Sequence, residues 1–204
     1  MRFKTFYIKE QEFKFDFNQL NSLDKFSQRI KFAKEHLKEI GHGSSRVVFE
    51  LSPYFVLKLA KNEKGLIQNS TETDKELHKT YSDIIPNLKD FDKNDYWLVV
   101  EKCNKVSKEK FKQLSGINFD LFGKALKEVH YLQNGRIEEL SDDVKELENS
   151  DNYFFELLKK FMEDFDMFYK DLANISSWGE SKGKLKLIDY GLTQEAYDTY
   201  FRKN

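Results

Sequence analysis

Two glycines one residue apart, Gly41 and Gly43, open the stretch GHGSSRVVFELSPYFVLKLA, in a chain that has only nine glycines. Glycine allows close approach of a backbone or a positive φ. The pair therefore reads as a turn whose amides, from Gly41 to Ser45, could cradle an anion such as phosphate. Val47, Val48, Phe49 and Leu51 then read as a strand, Ser52-Pro53-Tyr54 as a turn, and Phe55 to Ala60 as a second strand carrying Lys58. The flanks Val56, Leu57, Leu59 and Ala60 favour a largely buried strand, and a buried ammonium needs a partner. Glu72, in an expected helix, and Glu76, one turn later on the same face, are the two candidates. Such a set has the chemistry of phosphate binding: amides over the anion, and a lysine held against it by a carboxylate. An ordinary hairpin turn and a surface lysine are the plainer explanations of the same residues.

Further along, Val100-Glu101-Lys102-Cys103 ends an apolar strand, YKDLANISSWG carries Asp171, and LKLIDYG places Asp189 directly after another apolar strand. An Asp-x-Gly after a core strand is also a common turn. Taken in order, G-x-G-x-x-x-x-V, Lys58, Glu72, the Val100–Cys103 segment, Asp171 and Asp189 resemble the protein kinase superfamily. The likeness is specifically to the small kinase-like proteins of phage genomes, and it spans about residues 37–193.

That resemblance implies ATP and Mg²⁺ held between two lobes, with Asp171, Lys58 and Asp189 as the catalytic set. Gly41, Gly43, Ser44 and Ser45 would cover the phosphates. Lys58 would meet the α- and β-phosphates and be held by Glu72. Ile40, Val48 and Leu187 would stack on the base, the backbone at Glu101 and Cys103 would hydrogen-bond it, and Val100 would guard the rear of the pocket. Asp189 would bind the metal, and Asp171 would accept or orient the proton of an attacking hydroxyl.

Several residues depart from the family pattern. Arg46 stands at the third glycine, the position that approaches the phosphates least closely. Tyr169 and Lys170 replace the histidine and arginine before Asp171, and Tyr190 replaces the usual phenylalanine. Ser176 and Ser177 occupy the place of the expected asparagine, so Asn174 or the hydroxyl of Ser176 or Ser177 is left as second Mg²⁺ ligand. Serine is the weaker neutral oxygen donor. Only Leu192 to Asn204 follow the Asp-Tyr-Gly, without an Ala-Pro-Glu motif, and no conventional peptide-docking platform is expected. Two functions follow. One is Mg·ATP binding with weak phosphotransfer or autophosphorylation, onto itself or an unknown protein or small-molecule acceptor. The other is a catalytically inactive pseudokinase acting as a protein-binding module. An unrelated α+β interaction protein is the third reading, favoured if Lys58 is exposed and far from Asp189.

The elements that must position these residues are legible from pattern. Residues 3–8 and 13–17 alternate aromatic and polar residues and suggest a β-hairpin. Ser22 or Asp24 could cap a helix over Asp24–Lys38, with Phe26, Ile30, Ala33 and Leu37 on one face. Gly65 to about Tyr81 reads as one helix, and residues 86–103 as two strands around an Asp-Lys-Asn-Asp turn. Residues 107–170 are almost wholly helical in pattern, with a polar, acidic stretch at 134–150, and a last strand covers Lys184–Ile188. A β-rich first half and a helical second half make an α+β, two-lobed kinase-like fold. Residues 1–103 form the expected first lobe and 104–204 a minimal helical second lobe.

Composition closes off other classes. A charged fraction of 34% beside nineteen phenylalanines describes a globular chain rather than a disordered one. A formal charge of −1 gives no general nucleic-acid footprint. The single Cys103 excludes an internal disulfide and a cysteine-rich zinc site, and the four histidines lack ligand spacing. No apolar run approaches ~18 residues and the start lacks a signal-peptide core, so a cytoplasmic location is expected, in a bacterial host cell if phage-encoded.

Overall fold

The computed structural model describes residues 14–191 and Thr193. Five antiparallel strands form one sheet: β1 (Lys38–His42), β2 (Arg46–Glu50), β3 (Phe55–Ala60), β4 (Leu88–Phe91) and β5 (Trp97–Glu101). Their order is β1-β2-β3-β5-β4, so β3, with Lys58, lies at the centre. On this strand five consecutive residues, Val56 to Ala60, are buried. Phe49, Leu57, Leu59, Trp97 and Val99 fill one face together with Phe32 of a preceding helix. Val56, Leu98 and Val100 face the other way and pack with Val48 and Leu88.

Before the sheet come α1 (Phe17–Asn21) and α2 (Phe26–His36). The first strand of the expected N-terminal hairpin lies outside the described residues. Its second strand does not form: Asp16 accepts from the Gln19 N–H at 2.9 Å and starts a helix instead. The next helix is also shorter than expected. It starts after Lys25, whose backbone N–H donates to Gln28 Oε1 at 3.0 Å, whereas Ser22 ends α1 and Asp24 gives its carbonyl to Arg29. Its buried residues are Arg29, Phe32 and Ala33, so Ala33 alone of the expected face is fully covered. The segment at 65–81 is two helices, α3 (Glu63–Glu72) and α4 (Lys75–Tyr81). Asp74 breaks it by accepting from the Leu77 N–H at 2.9 Å, since a capping aspartate serves a new N-terminus better than a helix interior.

The break divides labour. Helix α3 packs on the sheet, while Leu77 and Tyr81 of α4 enter a second core with the helices that follow. Those are α5 (Lys108–Ser115), α6 (Phe119–Gln133), α7 (Asp142–Glu148), α8 (Tyr153–Phe165) and α9 (Tyr169–Leu172). Phe111, Phe122, Phe155, Phe161 and Trp178 are fully buried at the centre of this core. The acidic stretch yields α7, anchored by Val144 and Leu147. A small sheet that the sequence pattern does not announce joins β6 (Asn104–Lys105), β7 (Trp178–Ser181) and β8 (Lys184–Leu187). Gly179 lets β7 approach β6: a β-carbon there would come within 2.8 Å of Cys103 Cβ. The architecture is α+β: a five-stranded antiparallel sheet with its flanking helices, followed by a mainly helical half that carries the small three-stranded sheet.

Candidate functional site

Glycine positions the site, though not chiefly at Gly41 and Gly43. Neither takes a positive φ. A β-carbon at Gly41 would sit 3.3 Å from Val48 Cβ, so close approach explains that residue, while Gly43 would meet only an ordinary 3.6 Å contact. The tightest fit is at Gly65 on α3, where a β-carbon would fall 2.3 Å from the Ser45 carbonyl oxygen and 3.0 Å from Ala60. Gly65 thus allows α3 to lie directly against the ends of β2 and β3. The remaining buried residues of that helix, Gln68, Asn69 and Glu72, follow at helical spacing and are all polar.

The loop between β1 and β2 is tied down by residues just after β3. Its carbonyls at Gly43, Ser44 and Ser45 accept from Lys61 Nζ (2.8 Å), Asn62 Nδ2 (3.3 Å) and the Lys61 N–H (2.8 Å). Ser45 Oγ donates to Gln68 Oε1 at 2.5 Å, which joins the loop to α3.

Beneath the loop lies a charge cluster. Lys58, 5% exposed, pairs with Glu72 and donates to the Ile188 carbonyl at 2.8 Å. Glu76 is the partner not used: it sits exposed on α4 beside Lys79. Arg46, also buried, holds Glu72 Oε1 at 2.8 Å and Asp189 Oδ1 at 2.6 Å, and reaches Asn69 Oδ1 at 3.4 Å. Burial works against the Arg46 charge, but the Glu72 and Asp189 carboxylates outweigh it and keep the guanidinium firmly protonated. Burial likewise disfavours the Glu72 carboxylate, and the two cations more than compensate, holding its pKa low. Burial, with Arg46 adding to it, lowers the Lys58 pKa.

Asp189 follows β8 and Asp171 lies on α9, and both line one cleft of about 450 Å³ with Gly43, Ser44, Arg46 and Lys58. Burial and the Asp189 charge push the Asp171 carboxyl up to about 6. Tyr169 is buried and stacked on His130 at 4.7 Å. Gly191 presses against Gln68, where a β-carbon would come within 2.7 Å, so the Asp189-Tyr190-Gly191 turn is docked on α3.

The cleft continues into a smaller apolar recess of about 140 Å³ lined by Ile40, Val48, Val56, Val100, Cys103 and Ile188, among others. Glu101 lines it as well. Leu187, expected to stack there, points into the helical core instead, because β8 alternates and Ile188 takes the facing position. Backbone donors at this edge are partly spent: the Glu101 N–H goes to the Asn87 carbonyl at 2.9 Å and the Lys102 N–H to that of Tyr54 at 2.8 Å. Burial pushes the Cys103 thiol up to about 12, so it lines the recess as a neutral group.

Asn174 and Ser177 do not line the cleft. Asn174 is exposed, and its side-chain oxygen accepts from the Ser176 N–H (3.1 Å) and Oγ (2.9 Å). Ser177 is buried where its carbonyl accepts from the Ile188 N–H at 2.7 Å. With Asp189 Oδ1 engaged by Arg46, the Asn174 oxygen held by the turn and Ser177 buried away from the cleft, the expected Mg²⁺ ligand set of Asp189 with Asn174 or Ser177 does not fit the metal in this arrangement.

No family model matches the chain, and no curated protein matches it. Among solved structures, a ternary complex of streptomycin, ATP and APH(2")-IIa aligns at 16% identity over 81% of this chain and 70% of that one, with a TM-score of 0.38. Among the described residues no helix is long and apolar enough to cross a membrane.

Arg46 is the residue that sequence reasoning undervalued. Its signal was available: an arginine inside a β-run, opposite a helix whose 65, 68, 69 and 72 positions form a glycine-and-polar stripe. A stripe of that kind is buried only against charge or hydrogen-bonding partners.

Proposed function

We propose that this protein binds ATP in the cleft between its two lobes, adenine in the apolar recess and phosphates against Lys58 and Arg46. The hinge then falls at Glu101–Cys103. One observation carries the reading. Lys58 of β3, Asp171 of α9 and Asp189 after β8 come from distant parts of the chain and line one cleft under the Gly43–Arg46 loop, with Glu72 of α3 buried behind Lys58 as its partner. Two buried cations beside an open cavity suit a polyanion.

Transfer is a slow activity of the same site. The oxygen of an acceptor hydroxyl attacks the γ-phosphorus as the bond to the β–γ bridging oxygen breaks. ADP departs with that electron pair, and Asp171 takes the hydroxyl proton. A carboxyl near pH 6 is ionised enough at neutral pH to accept it. The acceptor is a small molecule or an exposed side chain of a protein. A second reading, a binding module without turnover, is favoured by the engagement of Asn174 in capping the turn at Ile175–Ser177.

Thermal unfolding tests the binding. ATP at ~100 times its dissociation constant should add about 2.7 kcal/mol of stability. Lys58→Ala should remove the shift, and so should Val48→Trp, which fills the recess without touching the charge cluster. Absence of a shift with ATP and GTP at millimolar levels, with and without Mg²⁺, would overturn the reading. Release of labelled phosphate then separates slow transfer from none.

A further inference from the structure

The structure assigns to Arg46 the role of a built-in cation, so that the cleft takes a nucleoside triphosphate without a divalent metal. This inference rests on the nucleotide reading above and concerns what neutralises the phosphates. A triphosphate brings three to four negative charges, and a site must meet them with metal ions or with its own cations. Here the position that a metal would need is already served by a guanidinium. Arg46 NH2 lies 2.6 Å from Asp189 Oδ1, the side chain is 7% exposed, and Glu72 Oε1 lies 2.8 Å from the same nitrogen. A metal at Asp189 must first break that charge-assisted pair, and the Asn174 oxygen, which holds the Ser176 N–H and Oγ, is not turned toward it.

Geometry also says what a phosphate would do. The Asp189 carboxylate is an anionic oxygen resting on Arg46 at the mouth of the cleft, with 56% of its side chain exposed. It is the one member of the cluster that can swing away at little cost, because Glu72 and Lys58 are buried and Asp189 is not. A phosphate oxygen can take its place on the guanidinium in the same bonding geometry. Lys58, held by Glu72 and the Ile188 carbonyl, supplies the second charge on the same wall. Both cations line the cleft with the loop residues Gly43 and Ser44.

Isothermal titration of the full chain with ATP, once in EDTA and once in Mg²⁺, decides it. Wild type should bind in EDTA with a dissociation constant within about threefold of that in Mg²⁺. Arg46→Gln should weaken binding in EDTA tenfold or more and make it respond to Mg²⁺. Asp189→Asn keeps the fold, as the side chain is exposed, and should tighten binding in EDTA by removing the competing carboxylate. A wild type that binds tenfold or more tightly in Mg²⁺ than in EDTA overturns the inference and leaves nucleotide binding standing. Loss of EDTA binding in Asp189→Asn also overturns it, and absence of binding in both conditions overturns both readings.

Discussion

Asp171 is the residue whose replacement should stabilise the protein. It sits half-buried on the cleft wall, and burial together with the Asp189 charge pushes its carboxyl up to about 6, against a partial pull from Arg46. An aspartate in the unfolded chain titrates near 3.9. Between roughly pH 4 and 6 the folded state therefore keeps a proton that the unfolded state has released, and stability falls as pH rises through that window. Above about pH 6 the folded protein carries the full cost of an ionised carboxylate in poor surroundings. Moving a carboxyl from about 4 to about 6 corresponds to about 3 kcal/mol. Partial exposure and solvent screening reduce this to about 1–2 kcal/mol. For a chain of this size that is about 2–8 °C in melting temperature. Ligand-free Asp171→Asn should melt higher than wild type at pH 8 by such a margin, with the gap closing as pH falls toward 4.5. Scanning calorimetry over that range is the assay. An asparagine variant less stable than wild type at pH 8, or a gap that widens on acidification, refutes the reasoning.

Two further substitutions probe the frame around the cleft. Glu72→Gln leaves Arg46 and Lys58 buried beside a neutral amide and should cost about 3–5 kcal/mol in urea unfolding; a loss under about 1 kcal/mol would mean the pair is hydrated. Gly65→Ala should cost about 1–3 kcal/mol or more and loosen α3, because its β-carbon meets the Ser45 carbonyl rather than a movable side chain. A Gly65→Ala variant as stable as wild type would show that α3 does not pack as described.

The fold was legible where period and propensity agreed. Val47–Phe49, Phe55–Ala60 and Trp97–Val100 are apolar runs of β-formers, and they became the central strands. It was less legible where a short polar side chain decided a boundary. Asp16 turned an alternating aromatic run into a helix and Asp74 cut one helix into two, and neither event alters hydrophobic period. Strands β6 and β7 are two and four residues long and have no pattern of their own; their pairing depends on Gly179, a tertiary fit. Within the candidate site, motif order led to Lys58, Glu72, Asp171 and Asp189, which share one region of the structure. The reach of Arg46 across to residue 189 was not readable, since local sequence carries no information about a contact 143 residues away.

Burying ions is a poor way to gain stability, and that is why this cluster argues for binding. Arg46, Lys58 and Glu72 are each 6% exposed or less, and apolar residues of similar volume in their place would hold the sheet to α3 at least as well. What an apolar substitute could not do is remain charged at the edge of a cavity. The asymmetry of the cluster follows that logic. Glu72, fully buried, balances one positive charge from inside, and Asp189, whose side chain is exposed, balances the other from the mouth of the cleft. Free, the cluster is neutral, and the Arg46–Asp189 pair ties β2 to the segment after β8. On the nucleotide reading proposed above, a bound phosphate would turn that carboxylate to water and take its place on the guanidinium. Under the same proposal the pair would also compete with the ligand, so weakening it should strengthen the ligand's grip.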